Sequence, residues 1–247
     1  MLTFLSAAIV VVFLSGGGTG VNLMVEPGGW RRRVEEFVLG EVGDPPARVL
    51  EVGCGEGELA RTLARAGHSV TAIDPRAPEG PIFRSVGIEA FSDPGPFDRV
   101  VASLSLHHVG DLGGALDKIA ALLREGGALI VVEFAWERLD GATAEWALER
   151  LPAASLSGRT SWLERRRQGW AEEGFHDSRR MRSELPRRFA ERRFEWVPYL
   201  YADLADGVSE ADERAAIEAG TIDAIGFRYV GTPLGDRVLD DHIHPSS

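Results

Sequence analysis

Three glycines within five residues, Gly53, Gly55 and Gly57, follow an apolar run in the segment VLEVGCGEGE at 49–58. A turn of this kind between strand and helix exposes the helix's first backbone N–H groups and lets a ligand approach the main chain closely. An acid, Glu51, stands two residues before the first glycine, and Asp74 ends a second apolar segment, SVTAID. A carboxylate accepts two hydrogen bonds in a fork, which suits a vicinal diol. His107 and His108 follow a further apolar run in ASLSLHHV at 102–109. An imidazole there can deprotonate a hydroxyl; alternatively it caps the next helix or packs beneath a ligand. The single cysteine, Cys54, reads as a small packing residue rather than a nucleophile. One cysteine also excludes an intramolecular disulfide and a cysteine-built metal site.

The elements that must position these groups are legible as periodicity. Trp30, Val34, Phe37 and Val38 share a helical face. The pattern then predicts a strand at Arg48–Val52, a helix at Glu58–Ala66 and a strand at Ser69–Ile73. Ile82–Ile88 reads as a poor, short third strand and Phe97–Ser103 as a fourth. An amphipathic helix at Leu112–Leu123 leads through Glu125-Gly126-Gly127 into a fifth strand, Ala128–Glu133. Strands alternating with helices imply right-handed crossovers and a parallel sheet covered on both faces. Beyond Thr143 the pattern gives helices at Ala144–Leu151 and Ser161–Glu173, then a sixth strand at Phe194–Tyr201 interrupted at Pro198. A helix at Ser209–Gly220, capped by Ser209, and a last strand at Ala224–Val230 complete it.

The bulk properties narrow the field. A chain of 247 residues, 44% hydrophobic and 26% charged, fits one α/β domain with an insertion. A formal charge of −11 argues against a general polyanion binder. Residues 1–25 carry no charged side chain, and their apolar stretch, Leu2 to Leu14, is short for a membrane span. No basic region precedes it, as a signal peptide would require. Three readings stay open for it: untranslated sequence ahead of a start at Met24, a weak anchor, or a plain extension. The cytoplasm is the expected compartment.

A dinucleotide site calls for G-x-G-x-x-G with an acid about 20 residues on. Here the spacing is G-x-G-x-G, and an acid stands before it. This resembles the first motif of the class I S-adenosylmethionine-dependent methyltransferases, of the small-molecule, type 11-like kind. Such a cofactor has no pyrophosphate but does carry a methionine ammonium, which an acid beside the loop can pair. The resemblance runs from about Trp30 to Val230 and includes Asp74 in VTAIDP, FDRVVASLSLHHV and LREGGALIVVE. It implies a Rossmann-like α/β sheet of seven strands, mostly parallel with the last antiparallel, helices on both faces and a helical lid insertion at about 143–193. It further implies S-adenosylmethionine held by Glu51, Gly53, Cys54, Gly55, Gly57, Asp74 (on the ribose), Glu89 (beside the adenine) and Ser103. Glu89 matches loosely, since the family often has its acid one position later, at Ala90 here.

Methyl transfer asks the protein for alignment and, with a weak nucleophile, proton removal. His107 is the candidate base. SLSLHHV lacks the Asn/Asp-Pro-Pro-Tyr/Phe motif of base-amine methyltransferases and an acidic cluster for a divalent ion, so a metal-independent enzyme for O, N, C or S of a small molecule is expected. The competing readings are a nicotinamide-dependent oxidoreductase and a non-catalytic S-adenosylmethionine-binding protein. Trp162, Trp170, Phe175, Trp196, Tyr199 and Tyr201 either line an acceptor pocket or form lid core. Arg159–Arg193 holds eleven arginines against six acids, which fits either a basic face or a solvated surface laced with ion pairs.

Overall fold

The computed structural model describes residues 28–93, 95–150, 169–170, 172–202 and 208–235. The N-terminal stretch at 1–25 and most of the helix expected at Ser161–Glu173 lie outside these residues. Helix α1 (Gly28–Val42) leads into strand β1 (Arg48–Val52), helix α2 (Glu58–Arg65), β2 (Ser69–Asp74) and β3 (Phe83–Ser85). Then come β4 (Phe97–Ser103), α3 (Leu112–Leu122), β5 (Leu123–Phe134) and α4 (Gly141–Leu148). Helix α5 (Ser178–Glu184), β6 (Phe189–Val197), α6 (Glu210–Glu218) and β7 (Gly226–Pro233) follow.

The sheet has seven strands in the order β3-β2-β1-β4-β5-β7-β6. Strands β1 to β5 pair in parallel, and β7 runs antiparallel between β5 and β6. This is the Rossmann-like arrangement expected of the sequence. The apolar runs arise because both faces are covered. Leu50, Val52, Val100, Ala102, Leu129 and Val131 enter one core beneath α3. Val49, Val101, Ala128, Ile130 and Val132 enter another beneath α1 and α2. Alternate side chains of a strand point to opposite faces, so a doubly covered strand reads as continuously apolar. Burying each of the Val, Leu and Ile side chains contributes about 1.5–3 kcal/mol.

The boundaries that differ have local causes. β3 is only three residues long, paired with β2 from Phe83 to Ser85. β5 begins five residues before Ala128, because Leu123 pairs with Phe97 before the register shifts and resumes at Ala128 opposite Arg99. β6 begins at Phe189 rather than Phe194 and ends at Val197, where Pro198 offers no N–H to the ladder. Ser209 caps α6 in a reciprocal box with Asp212. From that helix the buried Glu213 accepts N–H bonds from Tyr199, Leu200 and Tyr201 at 2.8, 3.1 and 2.8 Å. That clamp sets Tyr199 edge-on to Trp30 of α1, closing a third cluster over the carboxyl end of β5.

Candidate active site

The carboxyl ends of β1, β2, β4 and β5 lie on one edge of the sheet, where open α/β folds place their ligands. β1 runs into the glycine loop, which folds over the end of β2: Gly53 and Cys54 donate to the Ile73 carbonyl at 2.8 and 3.0 Å. Gly53 has φ +77, and a Cβ added there would stand 2.3 Å from the Ser105 Cβ. Gly57 has φ +79, and a Cβ there would meet the Phe83 ring at 2.4 Å. Both positions therefore exclude side chains for two independent reasons, backbone conformation and space. Cys54 is buried, and burial followed by the nearby Glu51 pushes its thiol up to about 12, which makes it inert.

Asp74 anchors the loop from β2. Its Oδ2 accepts from the Gly55 N–H at 3.2 Å, and its Oδ1 accepts from the Arg76 N–H at 2.8 Å. Glu51 is 3% exposed, and its Oε2 has no hydrogen-bond partner. Burial, reinforced by the neighbouring Asp74, pushes its carboxyl up to about 8, against a bond from the Ala60 backbone that favours the charge.

The other two expected contacts are less buried. Glu89 is exposed on the short turn Ile88–Ala90, whose backbone is tied to α3 by Lys118 Nζ donating to the Glu89 carbonyl at 2.9 Å. Ser103, half-buried, ends β4. Ser105, two residues on, is more deeply buried, and its Oγ has no partner although it faces Gly53. Sequence reasoning passed over Ser105.

It also passed over Glu133, the last acid of the apolar run ALIVVE. Glu133 is 1% exposed. Its Oε1 accepts from the N–H groups of Ser105 and Leu106, both at 2.8 Å, and more weakly from His107 N–H at 3.4 Å. Its Oε2 lies 2.7 Å from His107 Nδ1. This clamp holds the turn after β4, where Leu104 takes a left-handed φ of +49 without being glycine, a conformation costing about 1–3 kcal/mol. An acid within the buried part of β5 has to find donors, and these come from that turn.

His107 is nearly buried, with Phe134 and Phe175 ring centroids at 5.0 and 4.8 Å and His108 at 4.1 Å. The aromatic residues divide into two groups. Trp170 and Tyr199 pack on Phe134 as core, and Phe175 covers the histidine pair. Trp196 lies apart with Phe194 and Phe227, with Arg138 stacked 4.1 Å over it. Trp162 lies outside the described residues. The described arginines of the Arg-rich stretch include ion pairs: Arg188 with Asp117 and Glu184, Arg180 with Glu184, and Arg193 with Glu41 and Glu195. These arginines of the described residues are held in ion pairs rather than left as open basic groups.

With the loop and its acids in place, the relatives are informative. A family model described as a methyltransferase domain matches residues 26–195, well over half of the chain. The chain belongs to the methyltransferase domain family. A ubiquinone biosynthesis O-methyltransferase of Methylocella silvestris is 35% identical over 157 residues, covering 58% of this chain and 54% of that protein. The Xanthomonas campestris protein of the same name is 38% identical over 112 residues, 39% of this chain and 46% of that one. This methyltransferase-domain chain thus spans about half the length of the curated relatives it matches. Among solved structures, the Burkholderia thailandensis 1,6-didemethyltoxoflavin-N1-methyltransferase, with its substrate and S-adenosylhomocysteine bound, superposes with a TM-score of 0.52 at 18% identity, covering 82% of this chain and 77% of that one. An S-adenosylmethionine-dependent methyltransferase from Mesorhizobium loti gives 0.52 at 18% identity, covering 83% and 98%. At that identity the likeness establishes the fold. No helix among the described residues is long and apolar enough to cross a membrane.

Proposed function

We propose that this methyltransferase-domain protein uses S-adenosylmethionine to methylate O, N, C or S of a small molecule, without a metal ion. The observation that carries the reading is the buried, unpartnered Glu51 Oε2 beneath a loop built for close main-chain approach. An unpaired buried acid is costly, and the methionine ammonium supplies what it lacks. A pyrophosphate, which carries no donor, would leave the Glu51 carboxyl without a cationic partner. Asp74 takes the ribose hydroxyls, the backbone of Gly53, Cys54, Gly55 and Gly57 lies against the cofactor, and Glu89 and Ser103 complete the contacts. When bound, the cofactor supplies an electrophilic methyl carbon, to which the acceptor atom bonds as the carbon–sulfur bond breaks with its electron pair left on sulfur. His107 receives the acceptor's proton where one must leave.

A small-molecule acceptor is supported by the names of the curated relatives. We place the protein in the cytoplasm, in keeping with a lone free cysteine. We further propose one methyltransferase domain over 26–247, with an insertion after β5 whose described residues hold α4 and α5 and give way at Phe189 to β6.

Calorimetry tests the reading. S-adenosylmethionine and S-adenosylhomocysteine bind, and NAD does not. The affinity also depends on pH. Glu51 titrates at about 8 in the ligand-free protein, so its carboxyl is protonated at neutral pH. Pairing with an ammonium requires the proton to leave, so affinity rises from pH 6 to 8, by at most about tenfold per unit. The folded-state value lies above the usual 4.5, so the unfolded chain loses this proton first. Ligand-free stability therefore falls as pH rises through the same window. Binding of NAD alone, or an affinity flat from pH 6 to 8, contradicts the assignment.

A further inference from the structure

We propose that the groove between the turn after β5, helix α5 and the end of β6 is a second binding site, for a small aromatic anion that carries a carboxylate or a phosphate. The groove has a volume of about 630 Å³, within the range that holds small organic ligands. It is lined by the half-buried Trp196 of β6, by Arg138 of the turn Trp136–Arg138, and by Arg179 and Arg182 of α5. None of its lining residues belongs to the glycine loop, to the ends of β1, β2 and β4, or to the histidine pair. Local periodicity builds it. Phe194 and Trp196 stand two apart on an edge strand and share one face, and Arg179 and Arg182 stand three apart on a helix.

The lining holds three arginines and three acids, Glu137, Asp140 and Asp223, yet their engagements differ. Glu137 is taken by Ser178, whose N–H donates to Oε2 at 3.2 Å and whose hydroxyl donates to Oε1. Asp140 caps α4, accepting from the Thr143 N–H at 2.8 Å. Asp223 pairs with Arg138 at 3.2 Å, and Arg138 Nε also donates to the Ala224 carbonyl at 2.9 Å. Arg179 is exposed and lies 3.9 Å from Asp177, whose other oxygen caps α5. Arg182 is exposed and has no carboxylate partner among the described residues; it lies over the Phe194 ring at 4.5 Å and 5.7 Å from that of Trp196. A guanidinium laid on a ring engages its face and keeps its N–H donors free in its own plane. Each acid of the groove is thus engaged, while Arg182 is not, and that difference selects an anion. The fork of Arg182 suits two oxygens of a carboxylate or phosphate, and Trp196 offers a flat apolar body a surface to lie on.

The test titrates benzoate and phenyl phosphate into the full chain labelled with 15N-tryptophan. Of the six indole N–H signals, the one lost in Trp196→Phe shifts and saturates with either ligand, and the tighter of the two names the head group. Benzylamine, of opposite charge, leaves that signal in place. Acetate and inorganic phosphate, which lack the ring, bind at least about tenfold more weakly. Arg182→Gln weakens benzoate by about tenfold and flattens the dependence of its affinity on salt. Saturation with S-adenosylhomocysteine leaves benzoate binding unchanged, which keeps this outcome separate from any result at the glycine loop. The proposal is overturned if the Trp196 signal does not move, if benzylamine or the ringless anions bind as well as benzoate, if Arg182→Gln binds like the wild type, or if S-adenosylhomocysteine competes. Arg182 is exposed, so Arg182→Gln retains the fold. Should Trp196→Phe fail to fold, an indole signal moved by benzoate in the wild type and unmoved at the same concentration in Arg182→Gln supports the site, and one moved equally in both overturns it.

Discussion

Replacing Gly53 by alanine is expected to abolish measurable S-adenosylhomocysteine binding, a loss of at least about 10²-fold, while leaving the chain folded but weakened. Two costs coincide at this position. The φ of +77 lies in the left-handed region, which a residue with a Cβ occupies at about 1–2 kcal/mol. The new Cβ would also lie 2.3 Å from Ser105 Cβ and 3.1 Å from its Oγ. Neither partner can yield cheaply. Gly53 is held to Ile73 at the end of β2, and the Ser105 N–H is clamped to the buried Glu133. The loop must therefore move, and with it the backbone groups that meet the cofactor. Adding Ser105→Gly should restore the steric part and leave the backbone part. The double variant is expected to recover partial affinity by calorimetry and part of the lost melting temperature. Full affinity in Gly53→Ala alone would show that the loop does not approach the ligand.

Asp74→Ala is expected to weaken the same ligand by about 10²-fold, with a smaller loss for Asp74→Asn. The carboxylate accepts the Gly55 and Arg76 N–H groups in the ligand-free protein and is proposed to hold the ribose diol when the cofactor binds. Removing it leaves the loop N–H unpaired and the diol without its fork, and charge-assisted bonds of this kind contribute about 1.5–3 kcal/mol each. Asparagine keeps one acceptor oxygen. It also removes the negative charge that helps to raise the Glu51 pKa. The pH dependence of binding should therefore shift downward in Asp74→Asn, with the Glu51 carboxyl ionising below about 8. An unchanged affinity in Asp74→Ala would remove this residue from the site.

The parts of this arrangement that could be read from residues alone are those governed by local periodicity. β1, β2 and β4 are bounded by breakers and buried on both faces, so their apolar runs mark them almost to the residue. β6 is an edge strand rich in Arg and Glu, with few fully buried side chains. It carries no comparable pattern, and its start is set by pairing with β7. The glycine loop and its acids were legible because glycine and carboxylate have few other reasons to stand together there. Glu133 was not, because its donors are backbone groups of a turn 26 to 28 residues earlier. Nor did any glycine mark the left-handed turn at Leu104 that this acid stabilises. The aromatic residues failed as a guide for a different reason. Composition does not say which side of the sheet a ring will occupy, and Trp196 and Trp170 fall in separate clusters.

The central claim is that the acid behind the glycines receives the ammonium of a sulfonium donor. The most direct test compares S-adenosylhomocysteine with 5′-methylthioadenosine, which keeps the adenosine and the sulfur but has no ammonium. Both are titrated at pH 8 into wild type and Glu51→Gln. Loss of one charge-assisted bond should weaken S-adenosylhomocysteine by about 10- to 100-fold and leave methylthioadenosine within about twofold. Equal losses for the two ligands, or none for either, would contradict the account.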